Sequence, residues 1–193
     1  MSKLNILYIG YESSKIKDFL SLTENLSFID GSAYISLNLI KKYSPDLIIL
    51  HGCHSILSKD IVQAYPFKII NCHGAYLPYN RGRHPNVWSV LENTPGGGTI
   101  HLIDENIDKG IVICRKQLKV YPEDTLASTY WRIRDLLESM FIKIWPKIKN
   151  NSWEPIEINW NEGTLHYGRD LKKVEYLLTN GWETSIKDLK NNL

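Results

Sequence analysis

Over residues 1–70, short apolar runs alternate with segments whose apolar positions recur every three or four residues. Residues 5–9 form an apolar run that stops at Gly10, the pattern of a first strand. Ile16, Phe19, Leu20 and Leu22 follow at helical spacing among Lys, Asp and Ser, and predict a first helix. Residues 26–29 read as a second strand closed by Asp30-Gly31. Tyr34, Leu37, Ile40 and Lys41 read as an amphipathic helix, which must stop before Ser44-Pro45 because the residue ahead of a proline disfavours helical backbone. Residues 47–50 are a continuous apolar strand, as expected where both faces of a parallel sheet are covered, and residues 68–71 read as another buried strand, with a helical turn between them at 58–65.

The rhythm then changes. Residues 76–85 hold prolines, a glycine, arginines and an asparagine, and read as a structured loop before a short helix at 87–91. Residues 99–103 and 111–120 read as two strands, joined by a loop over 104–110. After Pro122, Leu126, Tyr130, Ile133, Leu137, Met140 and Ile144 trace one stripe of a long helix, capped by Asp124 or Thr125, with Pro146 near its end. Residues 150–193 are polar and irregular, with Trp153, Trp160 and Trp182 scattered through them. This order predicts an open α/β sheet, in which ligands bind beyond the carboxyl ends of the strands. The polar residues after Leu50 and Ile70 stand at such ends and locate the expected active site.

Composition narrows the classes. With 43% apolar and 11% aromatic residues, a 193-residue chain can build a stable core. Twenty-three basic against 21 acidic side chains leave a net charge of +2, which argues against a nucleic-acid-wrapping surface. No apolar run approaches the roughly 18–20 residues that span a bilayer. Met1-Ser2-Lys3-Leu4 runs directly into the first strand, so no leader is expected. Three widely spaced cysteines, Cys53, Cys72 and Cys114, are no disulfide framework and fit a reducing cytoplasm.

The densest polar cluster is Asn71-Cys72-His73. On a strand, residues two apart point the same way, so the Asn71 amide and the His73 imidazole would share one site as oxyanion donor and proton acceptor. Taken alone, the pair equally fits a satisfied polar turn. His51, Cys53, His54, Cys72 and His73 invite a zinc reading, but their spacing matches no zinc module and strand geometry turns the cysteines away from the histidines. Buried cysteines acting as small core residues explain them better, and no metal is expected. The Gly10-Tyr11-Glu12-Ser13-Ser14 turn lacks the glycines of a dinucleotide site and the Lys of a phosphate loop, and no Gly-x-Ser-x-Gly elbow occurs.

Two longer patterns change the picture. Residues 71–82, Asn-Cys-His-Gly-Ala-Tyr-Leu-Pro-Tyr-Asn-Arg-Gly, resemble the Asn-x-His-x-x-x-Leu-Pro…Gly signature of the folate-dependent formyltransferases. Residues 97–110 resemble the second signature of that family, Gly-x-Thr-x-His…Asp-x-Gly, at the correct distance from the first. The resemblance runs from about residue 47 to 120, and the opening segment is shorter than the family's usual one. It implies a Rossmann-like, mostly parallel sheet flanked by helices, with N10-formyltetrahydrofolate as formyl donor and a primary amine as acceptor. Carried over position by position, it makes Asn71, His73 and Asp108 the catalytic trio and His101 a support behind them. It also places folate against backbone near Ile56 and Leu57 on one side and Asp104 and Glu105 on the other.

Within the family the acceptor differs. Formylation of initiator tRNA uses an added domain and basic surface, whereas only residues 150–193 follow the long helix here. Glycinamide ribonucleotide formylation uses a glycine-rich phosphate loop after the first strand, where this chain has Gly10 alone. Nucleotide-linked amino-dideoxy sugars, presented as dTDP-sugars or similar for lipopolysaccharide O-antigen and other surface glycans, fit a core with a short tail. Residues 81–88 and 163–171 resemble segments of those sugar N-formyltransferases. Arg81, Gly82 and Arg83 would meet a diphosphate, while Trp88 or Tyr167 would stack on a base. Glycinamide ribonucleotide formylation, a non-catalytic folate- or nucleotide-sugar-binding relative and a formyl-folate hydrolase remain as alternatives. The resemblance further implies a cytoplasmic homodimer that binds no nucleic acid and no membrane. Its catalytic domain is expected over 1–149, with 150–193 as an extension packed on the core or on a partner subunit. Trp131, Phe141 and Trp145 would give the long helix a second apolar side for that partner.

Overall fold

The computed structural model describes residues 2–191. β1 (Asn5–Gly10), α1 (Lys15–Thr23), β2 (Asn25–Asp30), α2 (Leu37–Lys41), β3 (Leu47–His51), α3 (Lys59–Ala64) and β4 (Ile69–His73) follow in strict alternation. Then come β5 (Arg81–Gly82), α4 (Pro85–Leu91), β6 (Gly97–Leu102), β7 (Val112–Gln117), α5 (Leu126–Lys149), β8 (Leu165–His166) and α6 (Ile186–Asn191). The main sheet has the order β2-β1-β3-β4-β6-β7, and β5 pairs with β8 in a small second sheet. Parallel pairing joins β1 to β2 and β3, and β3 to β4. β6 runs against β4: the Ile103 N–H donates to the Ile69 carbonyl at 2.9 Å, and Asn71 faces His101. The α/β class read from the alternation is the class that forms.

The chain divides into two compact units. The first comprises residues 1–73, 100–114 and 138–156; the second comprises 74–99, 115–137 and 157–193. In the first, β1, β3 and β4 are buried along nearly their whole length, as expected for strands covered on both faces, while β2 at the edge is half-exposed. Leu7, Ile9, Ile29, Ile40, Ile48 and Ile69 belong to one core cluster. Helix α1 starts where the Ser14 hydroxyl accepts the Ile16 N–H at 3.2 Å. Helix α2 is shorter than its apolar spacing predicts. Ser36 is extended and caps the Leu39 N–H at 3.2 Å, so the helix begins at Leu37 and leaves Tyr34 outside it, 84% exposed.

In the second unit, Val87 and Val90 of α4 pack with Leu126, Leu177, Ile186 and Leu189. The tail is anchored by these aliphatic residues of 3₁₀ turns and α6, with Trp182 stacked on His84 at 5.6 Å.

Helix α5 also departs from its expected stripe. Leu126, Ile133 and Leu137 are buried as read, but Tyr130 is 38% exposed and the stripe then passes to Phe141, Trp145 and Ile148. Burying large aromatics outweighs keeping Met140 and Ile144 innermost. The correction matters for the expected dimer, because Phe141 and Trp145 are consumed by the fold and only Trp131, 56% exposed, keeps an outward apolar face. Among the described residues, no helix is long and apolar enough to cross a membrane.

Candidate active site

β4 delivers Asn71 and His73 two residues apart, with His101 of β6 opposite Asn71. Asp108 comes from the loop after β6, in a left-handed backbone conformation (φ 47°). That loop returns through Gly110, where a side chain would overlap the Leu102 carbonyl oxygen. The pattern Asp-x-Gly therefore has a steric reason.

The four side chains form one network. Asn71 Nδ2 donates to Asp108 Oδ1 at 3.2 Å and lies 3.3 Å from His101 Nε2. His101 Nδ1 lies 2.9 Å from the Leu102 carbonyl, which can only accept, so Nδ1 carries the proton and Nε2 offers a lone pair to Asn71. Burial holds the His101 pKa below its ordinary value, against the opposing pull of the Asp108 charge. His101 is thus a neutral acceptor that orients the Asn71 amide. His73 Nε2 lies 3.5 Å from Asp108 Oδ2, close to the carboxylate but without the geometry of a hydrogen bond. The sequence-derived trio and its support are together, with an amide donor, an imidazole and a carboxylate converging.

The loops assigned to folate stand on the same unit. After β3, Ile56 is 74% exposed while Leu57 packs against the core. Asp104 caps its own loop by accepting the Asn106 N–H at 2.7 Å. Glu105 reaches α3, pairing with Lys59 Nζ at 2.8 Å and accepting from Gln63 Nε2 at 2.8 Å. The Lys59 hydrogen bond holds the Glu105 carboxyl below its usual range. In the second unit, Arg81 and Gly82 form β5, Arg83 is exposed, and the Arg169 guanidinium lies 5.3 Å from the ring centre of half-exposed Tyr167. Trp88 is buried and stacks on His166 at 3.9 Å.

The zinc candidates are dispersed into other roles. His51 Nδ1 meets Tyr8 Oη at 3.1 Å and Ser14 Oγ at 3.2 Å, with Glu138 4.0 Å away. Burial pushes the Cys72 thiol far up. Among the described residues, no group of three His, Cys, Asp or Glu side chains is arranged to hold a metal ion. The buried Tyr8–Ser14–His51–Glu138 cluster escaped sequence reading, because its members lie far apart in the chain and only His51 carried any motif signal.

The formyl transferase family model matches residues 35–144. A methionyl-tRNA formyltransferase of Prochlorococcus marinus subsp. pastoris is 29% identical over 175 residues, spanning 88% of this chain and 50% of that protein. A dTDP-4-amino-4,6-dideoxyglucose formyltransferase of Mycobacterium bovis is 25% identical over 142 residues, spanning 74% of this chain and 58% of that protein. The chain spans about half the length of the curated relatives it matches. The formyltransferase PseJ from Anoxybacillus kamchatkensis, solved with UDP-4,6-dideoxy-4-formamido-L-AltNAc and tetrahydrofolate, superposes with a TM-score of 0.88 at 35% identity. That match covers 97% of this chain and 99% of the solved one. Both signatures, the site they build and the matched region agree: the chain belongs to the formyl transferase family.

Proposed function

We propose that the chain transfers a formyl group from N10-formyltetrahydrofolate to the primary amine of a nucleotide-linked amino sugar. One observation carries the choice of acceptor: the likeness to the Anoxybacillus structure extends over nearly the full length of both chains, tail included. That protein was solved with a UDP-linked formamido sugar and tetrahydrofolate, the two products such a reaction leaves.

The network supports the chemistry. As the amine attacks the formyl carbon it must lose a proton, and His73 accepts it, directly or through water. The Asn71 amide N–H and the resulting imidazolium stabilise the oxyanion, while Asp108 favours the charged imidazole. When the bond to the N10 nitrogen breaks, His73 returns the proton to that nitrogen, leaving tetrahydrofolate and a formamide. Ile56, Leu57, Asp104 and Glu105 stand as donor-side residues, and Arg81, Gly82, Arg83, Trp88 and Tyr167 as acceptor-side residues. Surface-glycan biosynthesis, a cytoplasmic setting and a homodimer belong to the same reading.

The test offers N10-formyltetrahydrofolate with a panel of UDP- and dTDP-linked 3-amino and 4-amino sugars, and with methionyl-tRNA. Tetrahydrofolate release that requires an amino sugar supports the reading. Release that requires only water, or only methionyl-tRNA, overturns it.

A further inference from the structure

A single carboxylate gathers the tail strand onto the loop that precedes α4. Glu92 follows α4 and lies four residues beyond Trp88, so the two side chains project from one face of that helix. Between them they hold His166 of β8. Trp88 stacks on the imidazole at 3.9 Å with the rings 6° from parallel, and Glu92 Oε1 stands 2.8 Å from Nε2. The carboxylate lies off the line of the ring N–H, so the contact is a close approach without hydrogen-bond geometry, and the stacked Trp88 ring holds the imidazole beside it.

The other oxygen, Oε2, accepts the Thr164 hydroxyl at 2.7 Å and the Asn80 amide at 2.9 Å. Asn80 is nearly fully buried and left-handed (φ 54°), and its own Oδ1 takes the Thr94 hydroxyl at 2.8 Å. It therefore has little freedom to shift.

What this clamp sets is the backbone of residues 81–83. The Arg81 N–H donates to the Thr164 carbonyl at 3.0 Å and the Arg83 N–H to the His166 carbonyl at 2.9 Å. Gly82 between them is at φ 89°, and a side chain there would overlap the His166 carbonyl oxygen. A pair of two-residue strands has too few bonds to hold its own register. We propose that Glu92 is a positioning residue for the acceptor: by clamping Thr164 and His166 to Asn80, it fixes the loop from which Arg81 and Arg83 meet the anionic half of the substrate. This inference rests on the sugar-nucleotide reading above.

Glu92→Gln keeps the size of the side chain but removes its charge and forces one of its contacts to face a second donor. The expected result is an acceptor KM raised about tenfold, the scale of one lost charge-assisted hydrogen bond, with kcat and the donor KM within about twofold of the parent. Hydrogen exchange at the Arg81 and Arg83 amides should accelerate while exchange in β1, β3 and β4 stays unchanged. An unchanged acceptor KM overturns the proposal. So does a fall of kcat and both affinities together with the melting temperature, which would mark a general structural role. If the parent protein formylates no nucleotide-linked amino sugar, the functional reading fails and the exchange arm decides alone: unaltered protection at Arg81 and Arg83 then overturns the clamp.

Discussion

His73 stands with its Nε2 toward Asp108 at 3.5 Å, while Asn71 spends its amide on Asp108 and His101. In the proposed chemistry His73 is the base that cycles, because the Nε2 lone pair of His101 is already taken by the Asn71 amide. His73→Ala should lower turnover by about 100-fold or more while the melting temperature stays near the parent value. Near-normal tetrahydrofolate release from a folded variant would remove His73 from the mechanism. A second expectation concerns pH. The folded-state pKa of His101 is lowered, chiefly by burial, and that of His84 is lowered by burial and by the Arg83 charge. The unfolded chain therefore takes up protons first, so stability is fully present above pH 6.5 and is lost as pH falls from there toward the folded values. Denaturant midpoints measured between pH 7.5 and 5.5, taken as about one unit either side of an ordinary histidine pKa, should fall, and less steeply in His101→Gln. Equal slopes would show that His101 carries none of the dependence. These residues were legible in the sequence because strand alternation and two spaced signatures point at them. Buried His51 and Glu138 were not, since a contact between residues 51 and 138 has no local signature.

At the scale of elements, the ends of β1, α1 and α5 in the first unit meet at one buried side chain. Glu24 closes α1 and accepts from the Leu4 N–H at 2.8 Å, Trp145 Nε1 at 3.1 Å and Lys149 Nζ at 2.7 Å. Burial alone would raise its pKa, but the combined hydrogen bonds from Lys149, Leu4 and Trp145 outweigh that cost and leave it lowered. Its stabilisation is accordingly present above the ordinary carboxyl value of 4.5 and lost as pH falls through the folded value. Glu24→Gln should cost about 2 kcal/mol of unfolding free energy at pH 7, because the ammonium of Lys149 loses its charged partner. A denaturation curve that overlays the parent's would refute the knot. Elements defined by long apolar periodicity, such as β1, β3, β4 and α5, were readable beforehand. The two-residue strands β5 and β8 were not, because their pairing depends on Gly82 and on side chains distant in sequence.

For the whole molecule, the tail is the segment whose importance its composition conceals. Leu177 stands apart and Ile186 and Leu189 make only one helical pair, too little to read as a periodic face, yet they complete the cluster around Val87, Val90 and Leu126. Each such side chain is worth roughly 1.5–3 kcal/mol when buried, against a typical net stability of about 5–15 kcal/mol. A chain ending at residue 156 should therefore bind apolar dyes, melt at lower temperature and lose formyl transfer. A soluble, fully active truncation would show the tail to be dispensable. Light scattering of the full chain tests the dimer separately, and a monomer would reject it.

The Asn71 amide has a consequence of its own. Both of its hydrogens already have protein acceptors, a neutral imidazole and a carboxylate. A newcomer must out-compete one of them to be bound there. The carbonyl oxygen of an intact formyl group, neutral and planar, competes poorly; the oxygen of the tetrahedral adduct, carrying a full negative charge, competes well. In the proposed chemistry the site would therefore hold the reactant weakly and the structure halfway through its conversion tightly, which is the condition for binding to accelerate a reaction instead of merely holding its substrate.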